Sequence, residues 1–576
     1  ALTVRDSAPQ GLGMYLRTTQ RRRKDGSIVR YLALAENVWN AQTGRAEAQV
    51  VYNFGRADAQ TEAQLNRLVR SIKRVLGEDT AEDAGADGGP NIAIEESRDL
   101  GVVHVARALW DELGIAAAVR EVLEAKGLGA QHHTALFAMA ANRLEEPRSK
   151  RGCTTRWLGD RAWLPDAQEL NVDHLYRALD VLAGSAEQIE RRVFFQTADL
   201  FSLDADLIFY DTTTAYCEVD APDEAETEWN GQPYPALRRR GHSKEGRDNQ
   251  PQVIVALAVT RDGMPIRSWV LPGDTADVST VRQIKEDLRS WNLGRCVFVG
   301  DAGMYSKANL KALSEGLGRY IVAVPMASVK EAQQDALTRP GRYRQIAGNL
   351  KAKEVWVGDG ERRRRYVVCL NPEEAERQRQ HRNEVLTELE SELARIDRGE
   401  ADHPKAACRL LSSARYGRYL KTDSKGRPRL DRPKIKAAEQ QDGKFVVVTN
   451  DDSLSVEDVA LGYKGAAIIE SCFRKMKQTG LEVRPMYHVA ARRITAHVKL
   501  CVLALQIQRA AEMRCGRTWT AIAQVLGRLK VVRYRSEKRA IVQRTEISGE
   551  LAQTLRQLRV QAPPRLLSVT ELGDAA

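Results

Sequence analysis

The order of strand-like and helix-like runs after Leu203 constrains the fold of this chain more than any other feature. DLIFYDTTTAYCEV (206–219) is β-branched and aromatic, and QPQVIVALAVT and MPIRSWVLPG form a hairpin across RDG (261–263). VSTVRQIKEDLRSWN then has helical spacing, RCVFVGD reads as a short buried strand, KANLKALSEG as a helix and GRYIVAVP as a further strand. Three strands joined in sequence, then helix, strand, helix, strand, specify an α/β core on a mixed five-stranded sheet over residues 204–325. Between Met326 and Asp442 this order is interrupted by VWVGDG, RRRRYVVCL, a long helical run from Asn371 and a basic tract from Arg415 to Lys436. A stretch that long is too structured for a loop and reads as an insertion domain, 326–442. FVVVTN (445–450) resumes the core, whose second part is expected over 443–515.

The flanks differ in kind. MYLRTTQ, IVRYLALAENVW and AEAQVVYNFG, separated by turn-rich segments, predict a small β-meander, and EDTAEDAGADGGPN reads as a linker closing a first region at about residue 90. Residues 91–203 carry helical spacing, as in VVHVARALWDELGIAAAVREVLEA, and predict an all-helical domain. A C-terminal region, 516–576, completes the chain.

Charge narrows the class of partner. There are 88 Lys and Arg against 77 Asp and Glu, a formal net charge of +11, with an isoelectric point near 9.2; such an excess favours a polyanion. The eight cysteines are scattered, without a CxxC pair or histidines at zinc-ligand spacing. No apolar run approaches the roughly 20 residues of a membrane span, and ALTVRDSAPQ has no signal-peptide core, so the reducing cytosol is the expected compartment. An acidic partner there points to nucleic acid.

Three carboxylates occupy positions that this element order makes interesting. Asp211 ends the apolar half of DLIFYDTTT, Asp301 ends CVFVGD, and Glu470 lies in LGYKGAAIIESCFRKMK (461–477). Ser455 with Asp458 resembles a capping box and predicts one helix from about Ser455 to Lys477 in spite of Gly462 and Gly465. Residues seven apart then share a face, so Tyr463, Glu470 and Lys477 line up. The acids are separated by 301 − 211 = 90 and 470 − 301 = 169 positions, so only folding could unite them. Carboxylates supply the hard oxygens that Mg²⁺ or Mn²⁺ require, and two such ions about 4 Å apart can activate an attacking oxygen while stabilising a leaving one.

The blocks YDTTT, HSKEGRDNQPQV, PGDTAD, VGDAGMYS, VVVTND and LEVRPMYH, with Tyr463, Glu470 and Lys477 at the spacing of a Y-R-E-K motif, resemble a DDE transposase of a bacterial insertion sequence. Ala466 stands where that motif has its arginine. The resemblance implies an RNase H-like sheet, with Asp211, Asp301 and Glu470 as catalytic ligands of two Mg²⁺ or Mn²⁺ ions, and Tyr463 and Lys477 holding the phosphate backbone. Arg238, Arg239, Arg240, Lys244 and Arg247, joined by Arg474 and Arg484, are the further candidates for contacting double-stranded DNA. The implied activity is cleavage at the element ends and joining of 3′-OH ends to target DNA, by a homodimer or higher oligomer, with residues 91–203 a candidate for end binding. A metal-dependent nuclease without joining activity and a catalytically silent repressor are the alternatives. His488 and His497 read as packed residues rather than ligands, and Trp229 as a core aromatic before a base-stacking one.

Overall fold

A computed structural model of the chain describes residues 15–22, 28–40, 45–58, six positions between 61 and 69, and 93–203, 206–219, 221–360, 363–398, 403–477, 480–536 and 539–571. The linker expected at 78–91 and Arg362 of the RRRR tract lie outside the described residues. The chain divides into two compact units, residues 1–91 and 92–576. In the first, β1 (Tyr15–Arg22), β2 (Ile28–Asn40) and β3 (Arg45–Arg56) form an antiparallel meander with β2 in the middle.

The second unit opens with β4 (Ala93–Asp99), a strand absent from the sequence expectation, and five helices: α1 (Gly101–Glu112), α2 (Ile115–Ala125), α3 (Gln131–Glu145), α4 (Val172–Ala183) and α5 (Ala186–Phe201). Then come β5 (Leu207–Tyr216), a small hairpin β6 (Thr227–Trp229) and β7 (Gln232–Tyr234), β8 (Gln252–Val259), β9 (Pro265–Pro272), α6 (Asp277–Ser290), β10 (Val297–Gly300), α7 (Lys307–Ser314) and β11 (Arg319–Ala323). The interrupting segment supplies β12 (Arg344–Ala347), β13 (Leu350–Val357), β14 (Arg364–Leu370), α8 (Pro372–Asp397), α9 (His403–Ser412), the hairpin β15 (Leu420–Thr422) and β16 (Pro428–Leu430), and α10 (Arg432–Gln441). After β17 (Lys444–Thr449) follow α11 (Val456–Lys464), α12 (Ala467–Lys477), α13 (Ala491–Cys515), α14 (Trp519–Leu526), β18 (Lys530–Ser536), β19 (Arg539–Arg544), α15 (Gly549–Leu558) and β20 (Leu566–Glu571).

The large sheet is mixed, as expected, but has nine strands in the order β12-β13-β14-β17-β11-β10-β5-β8-β9. β8 and β9 run antiparallel off one side of β5, whereas β10 and then β11 lie parallel on the other. The extra width comes from β14, which pairs antiparallel with β17 from Arg365↔Thr449 to Leu370↔Lys444 and carries β13 and β12 with it. The interrupting segment therefore continues the sheet through residue 370, and only 372–441 builds a small core of its own, around Val385, Leu389, Leu410 and Ile435.

The helical segment likewise does not close a separate core. α13 is buried on nearly every face, through KLCVLALQI, and a helix apolar all round must be enclosed by other elements. It packs against α3 and α4 as well as β9 and α12, so one hydrophobic cluster runs from Leu100 through Leu257 to Val560. Among the described residues no helix is long and apolar enough to cross a membrane.

Candidate active site

β5 and β10 position the first two acids. Along β5, Leu207 and Phe209 enter the core on one face and Ile208 and Tyr210 that on the other, as expected for a central strand covered on both sides. The parallel register Val297↔Leu207, Phe298↔Ile208, Val299↔Phe209 has an offset of 297 − 207 = 90, equal to the separation of Asp301 and Asp211. Continued by two residues, it sets Asp301 beside Asp211, where β10 ends and a short turn begins.

A third acid, which the sequence reading did not single out, joins them. Asp277 is the first residue of α6 and accepts a hydrogen bond from Thr212 Oγ1, next to Asp211. Lys244 stands among these groups: its Nζ lies 3.1 Å from Asp277 Oδ2 and 3.6 Å from Asp211 Oδ1, and donates to Thr212 O at 2.8 Å. Burial pushes the Asp211 carboxyl up to about 6, against the opposing pull of Lys244 and with added repulsion from Asp301. Asp301 is raised in the same way, first by burial. Burial opposes the charge of Lys244, but Asp211, Asp277 and Asp301 together outweigh it and hold the ammonium above the usual lysine range.

Glu470 is carried by α12, whose Ile469, Cys472, Phe473 and Met476 form a buried stripe at helical spacing against β5 and β8. Glu470 is exposed in the first turn, where the helix dipole favours a carboxylate. The single helix expected from Ser455 to Lys477 is instead two. It begins at the capping box of Ser455 and Asp458, but the backbone tightens after Tyr463, where Ala466 N–H bonds Tyr463 O and Ile468 N–H bonds Gly465 O. At this break the chain lies close against the sheet: a Cβ at Gly465 would come within 2.9 Å of Phe209 Cζ. Tyr463 therefore lies on α11 and does not share one continuous helix face with Glu470 and Lys477. Its ring packs on Phe445 with centroids 5.3 Å apart, and its hydroxyl is pushed up to about 12, first by burial and then by Asp301, Glu470 and Asp211.

The basic candidates separate into groups. Lys477 Nζ and Arg484 Nε both engage Glu245 Oε1, at 2.6 and 2.9 Å. Arg238 is committed to Asp223, whose Oδ1 lies 2.5 Å from its Nη2 and whose Oδ2 accepts its backbone N–H, so it clamps two loops together instead of facing solvent. Arg239 pairs through its backbone with Gln252, Arg240 and Arg474 are exposed, and the exposed Arg247 lays its guanidinium 4.1 Å over the Tyr216 ring. Trp229 is not a core residue: it is 41% exposed in the β6–β7 hairpin and covered by Arg492 at 3.8 Å. Asp277 and Glu245 fall inside PGDTAD and HSKEGRDNQPQV, but nothing in their spacing reveals that they meet the two halves of the site.

The donor chemistry at Asp211 and Asp301 suits a divalent cation. Asp301 Oδ1 is buried without a hydrogen-bond partner, and Gly303 leaves open a space in which a Cβ would sit 3.3 Å from Asp301 Oδ1 and 3.5 Å from Asp277 Oδ2. The expected three-carboxylate set is not closed, however: among the described residues no three His, Cys, Asp or Glu side chains converge tightly enough to share an ion. Lys244 supplies positive charge to Asp211 and Asp277, and Glu470 remains on an exposed helix face.

Comparison with known proteins gives the family. Residues 221–507 match the transposase DDE domain, a span that includes Asp301 and Glu470 and begins ten residues after Asp211. Residues 16–84 match the N-terminal domain of IS1634 family transposases. No curated protein matches the chain. Among solved structures, the synaptic complex of piggyBac transposase with hairpin DNA is 7% identical over 69% of this chain and 70% of that one, with a TM-score of 0.33. The Mos1 transposase paired-end complex with the left transposon end is 16% identical over 48% of this chain and 70% of that one, with a TM-score of 0.14. At such scores these likenesses carry no weight in the assignment. Two non-overlapping transposase matches on one chain, one to the DDE domain and one to the IS1634-type N-terminal domain, make this protein a DDE transposase of a bacterial insertion sequence.

Proposed function

We propose that the protein cuts DNA at the ends of its own element and joins the freed 3′-OH to target DNA, with Asp211, Asp301 and Glu470 holding two Mg²⁺ or Mn²⁺ ions. The reading rests on the β5–β10 register, which brings Asp301, just past the end of β10, level with Asp211 inside β5, and on Asp301 Oδ1, which is buried with no hydrogen-bond partner among the described residues. Bound there, the ions would polarise the scissile phosphate, activate the attacking oxygen and stabilise the leaving one. The strands β9-β8-β5-β10-β11 are read as an RNase H-like unit, to which α12 brings Glu470. Tyr463, Ala466, Glu470 and Lys477 are read as its Y-R-E-K block, without the arginine.

The remaining residues bind and orient. Lys244 balances the strand acids, Lys477 and Arg484 grip the backbone of the cleaved strand, and Arg239, Arg240, Arg247 and Arg474 extend the contact as point charges without reading bases. Arg238 holds the loop that carries Lys244. The first unit and the helices of 91–203 recognise the element ends, and a homodimer or higher oligomer pairs them.

The test is to incubate the protein with element-end DNA and Mg²⁺ and map the products. Asp211→Asn, Asp301→Asn and Glu470→Gln should each lower cleavage and joining by about 10²–10³-fold or more while leaving end binding nearly intact, because affinity comes from many phosphate contacts. Any variant that cuts at the parent rate removes that residue from the ligand set. Cutting without joining would make the protein a nuclease.

A further inference from the structure

A cavity of about 180 Å³ with an unusual charge balance is walled by Arg143, Arg148, Lys150, Arg484, His488 and His497. Its volume is well below the ~300 Å³ at which pockets for drug-sized ligands begin, which restricts it to a small group. Arg143 and Lys150 are each only 5% exposed. Buried cations are normally paired with carboxylates, yet among the described residues neither has one within ion-pair distance. Arg143 donates to the carbonyls of Leu481, Glu482 and Arg148, leaving its buried Nε without a partner. Among the described residues Lys150 Nζ has one hydrogen-bond partner, His497 Nδ1, at 3.4 Å.

The acids nearby are already committed or face solvent. Asp180 is held by Arg492 and Arg493 at 2.9 and 3.0 Å, Glu146 pairs with Arg148, and Glu482, the one acidic residue in the cavity wall, is exposed. The surplus shows in the titrating groups. Burial and then Arg143 push Lys150 down to about 7, and burial and then Lys150 push His488 down to about 3, with His497 also lowered. Both imidazoles are thus neutral, Arg143 is the permanent buried cation of the wall, and Lys150, held down to about 7, takes its full charge only when an anion joins it.

Arg484 ties this cavity to the proposed active site. It shares Glu245 with Lys477, and the neighbouring Lys244 reaches Asp211 and Asp277. Arg484 thus belongs both to the cavity wall with Lys150 and, through the shared carboxylate of Glu245, to the group that contains Lys477. We propose that this cavity is a phosphate seat, taking one phosphodiester of the DNA strand that leaves the acids. The DNA identity of that phosphate rests on the transposase reading, whereas the seat itself rests on Arg143 and Lys150, two buried basic side chains with no carboxylate partner among the described residues.

The test uses the full chain and reads binding, so its outcome is separate from that of the cleavage assay. Lys150→Met keeps the length and apolar stem of the side chain and removes its charge. The slope of log affinity against log salt for a duplex carrying the element end should flatten by about one unit, with a loss of about tenfold at low salt, and Lys150→Arg should restore part of it. Arg148→Gln, at the rim, should flatten the slope in the same direction if Lys150→Met proves too unstable to assay. Inorganic phosphate should raise the melting temperature of the parent but not of Lys150→Met. A phosphate response with an unchanged DNA slope would overturn the DNA assignment and leave a seat for free phosphate. Unchanged responses to both would overturn the seat.

Discussion

Glu245 shows what a single carboxylate can do at a site made for an anion. It occupies Lys477 and Arg484 together, so a DNA phosphate must displace it before either cation is available. Glu245→Gln should tighten duplex binding several-fold at low salt and steepen the salt slope, because both cations then release counterions on binding. In that background Lys477→Ala should flatten the slope by about one unit, and by less in the parent, where the lysine only exchanges partners. Equal effects of Lys477→Ala in the two backgrounds would show that Glu245 does not compete. A second residue reports through pH. Glu145 ends α3 and accepts from Trp157 Nε1 at 2.8 Å, and burial pushes its carboxyl from 4.5 up to about 7. An acid with a raised folded pKa holds its proton more tightly when folded, so its contribution falls as pH rises from about 4.5 to about 7 and is level above. Glu145→Gln keeps an acceptor for Trp157 and should be the more stable form at pH 8 by roughly 1–3 kcal/mol, the gap closing towards pH 4 in urea titrations. Of the carboxylates of the proposed site the sequence marks Asp211 and Asp301, because each follows an apolar run, although Asp211 lies inside β5 and not at its end. It does not reveal Glu145, Glu245 or Asp277, whose roles depend on partners 12, 232 and 65 positions away.

Elements that form from local pattern were legible, and those defined by distant pairing were not. The alternation in 14–55 and the apolar runs of β5, β8, β9, β10 and β11 are local properties, and each strand lies where they predict. β14 reads as part of an insertion because its partner β17 comes much later in the chain: paired residues lie between 444 − 370 = 74 and 449 − 365 = 84 positions apart and meet only in the folded sheet. The break between α11 and α12 was hidden for another reason: a glycine within helical spacing is tolerated in sequence terms, and only the neighbouring Phe209 shows why Gly465 is needed. Gly465→Ala should cost about 1–3 kcal/mol through overpacking, read as a lower urea midpoint, and should impair cleavage by shifting α12 and Glu470. An unchanged midpoint would mean that Phe209 yields freely. The contact between α5, α13 and β9 has a sharper signature. Lys499 donates to Glu190 Oε2 at 2.8 Å, and Ser268 completes the buried group. Glu190→Leu alone should destabilise by about 3–5 kcal/mol, and adding Lys499→Met should recover most of that, since the loss comes from an unpaired buried charge.

The second unit is closed by its own extremities. β4 at residues 93–99 forms the edge of a four-stranded sheet, β20-β19-β18-β4, whose other strands come from 530–571. The clasp continues where Leu100 and Gly101 both donate to Leu529 O at 3.0 Å, and a Cβ at Gly101 would collide with Leu526 O. Deleting residues 530–571 should therefore make the segment around residue 99 the first site of proteolysis, even though the sheet carrying Asp211 and Asp301 is untouched in sequence; a protection pattern like that of the full chain would contradict this. The same clasp imposes a timetable on synthesis. Lys530 is 431 positions from its partner Asp99, so at about 5–20 residues per second β4 waits about 20–90 s with an open edge before its neighbour is made. Through that interval the strand is a template for any other exposed edge, including that of another nascent copy. The yield of finished protein is thus governed by how well the emerging chain is shielded during translation, and slowing elongation should increase aggregation rather than relieve it.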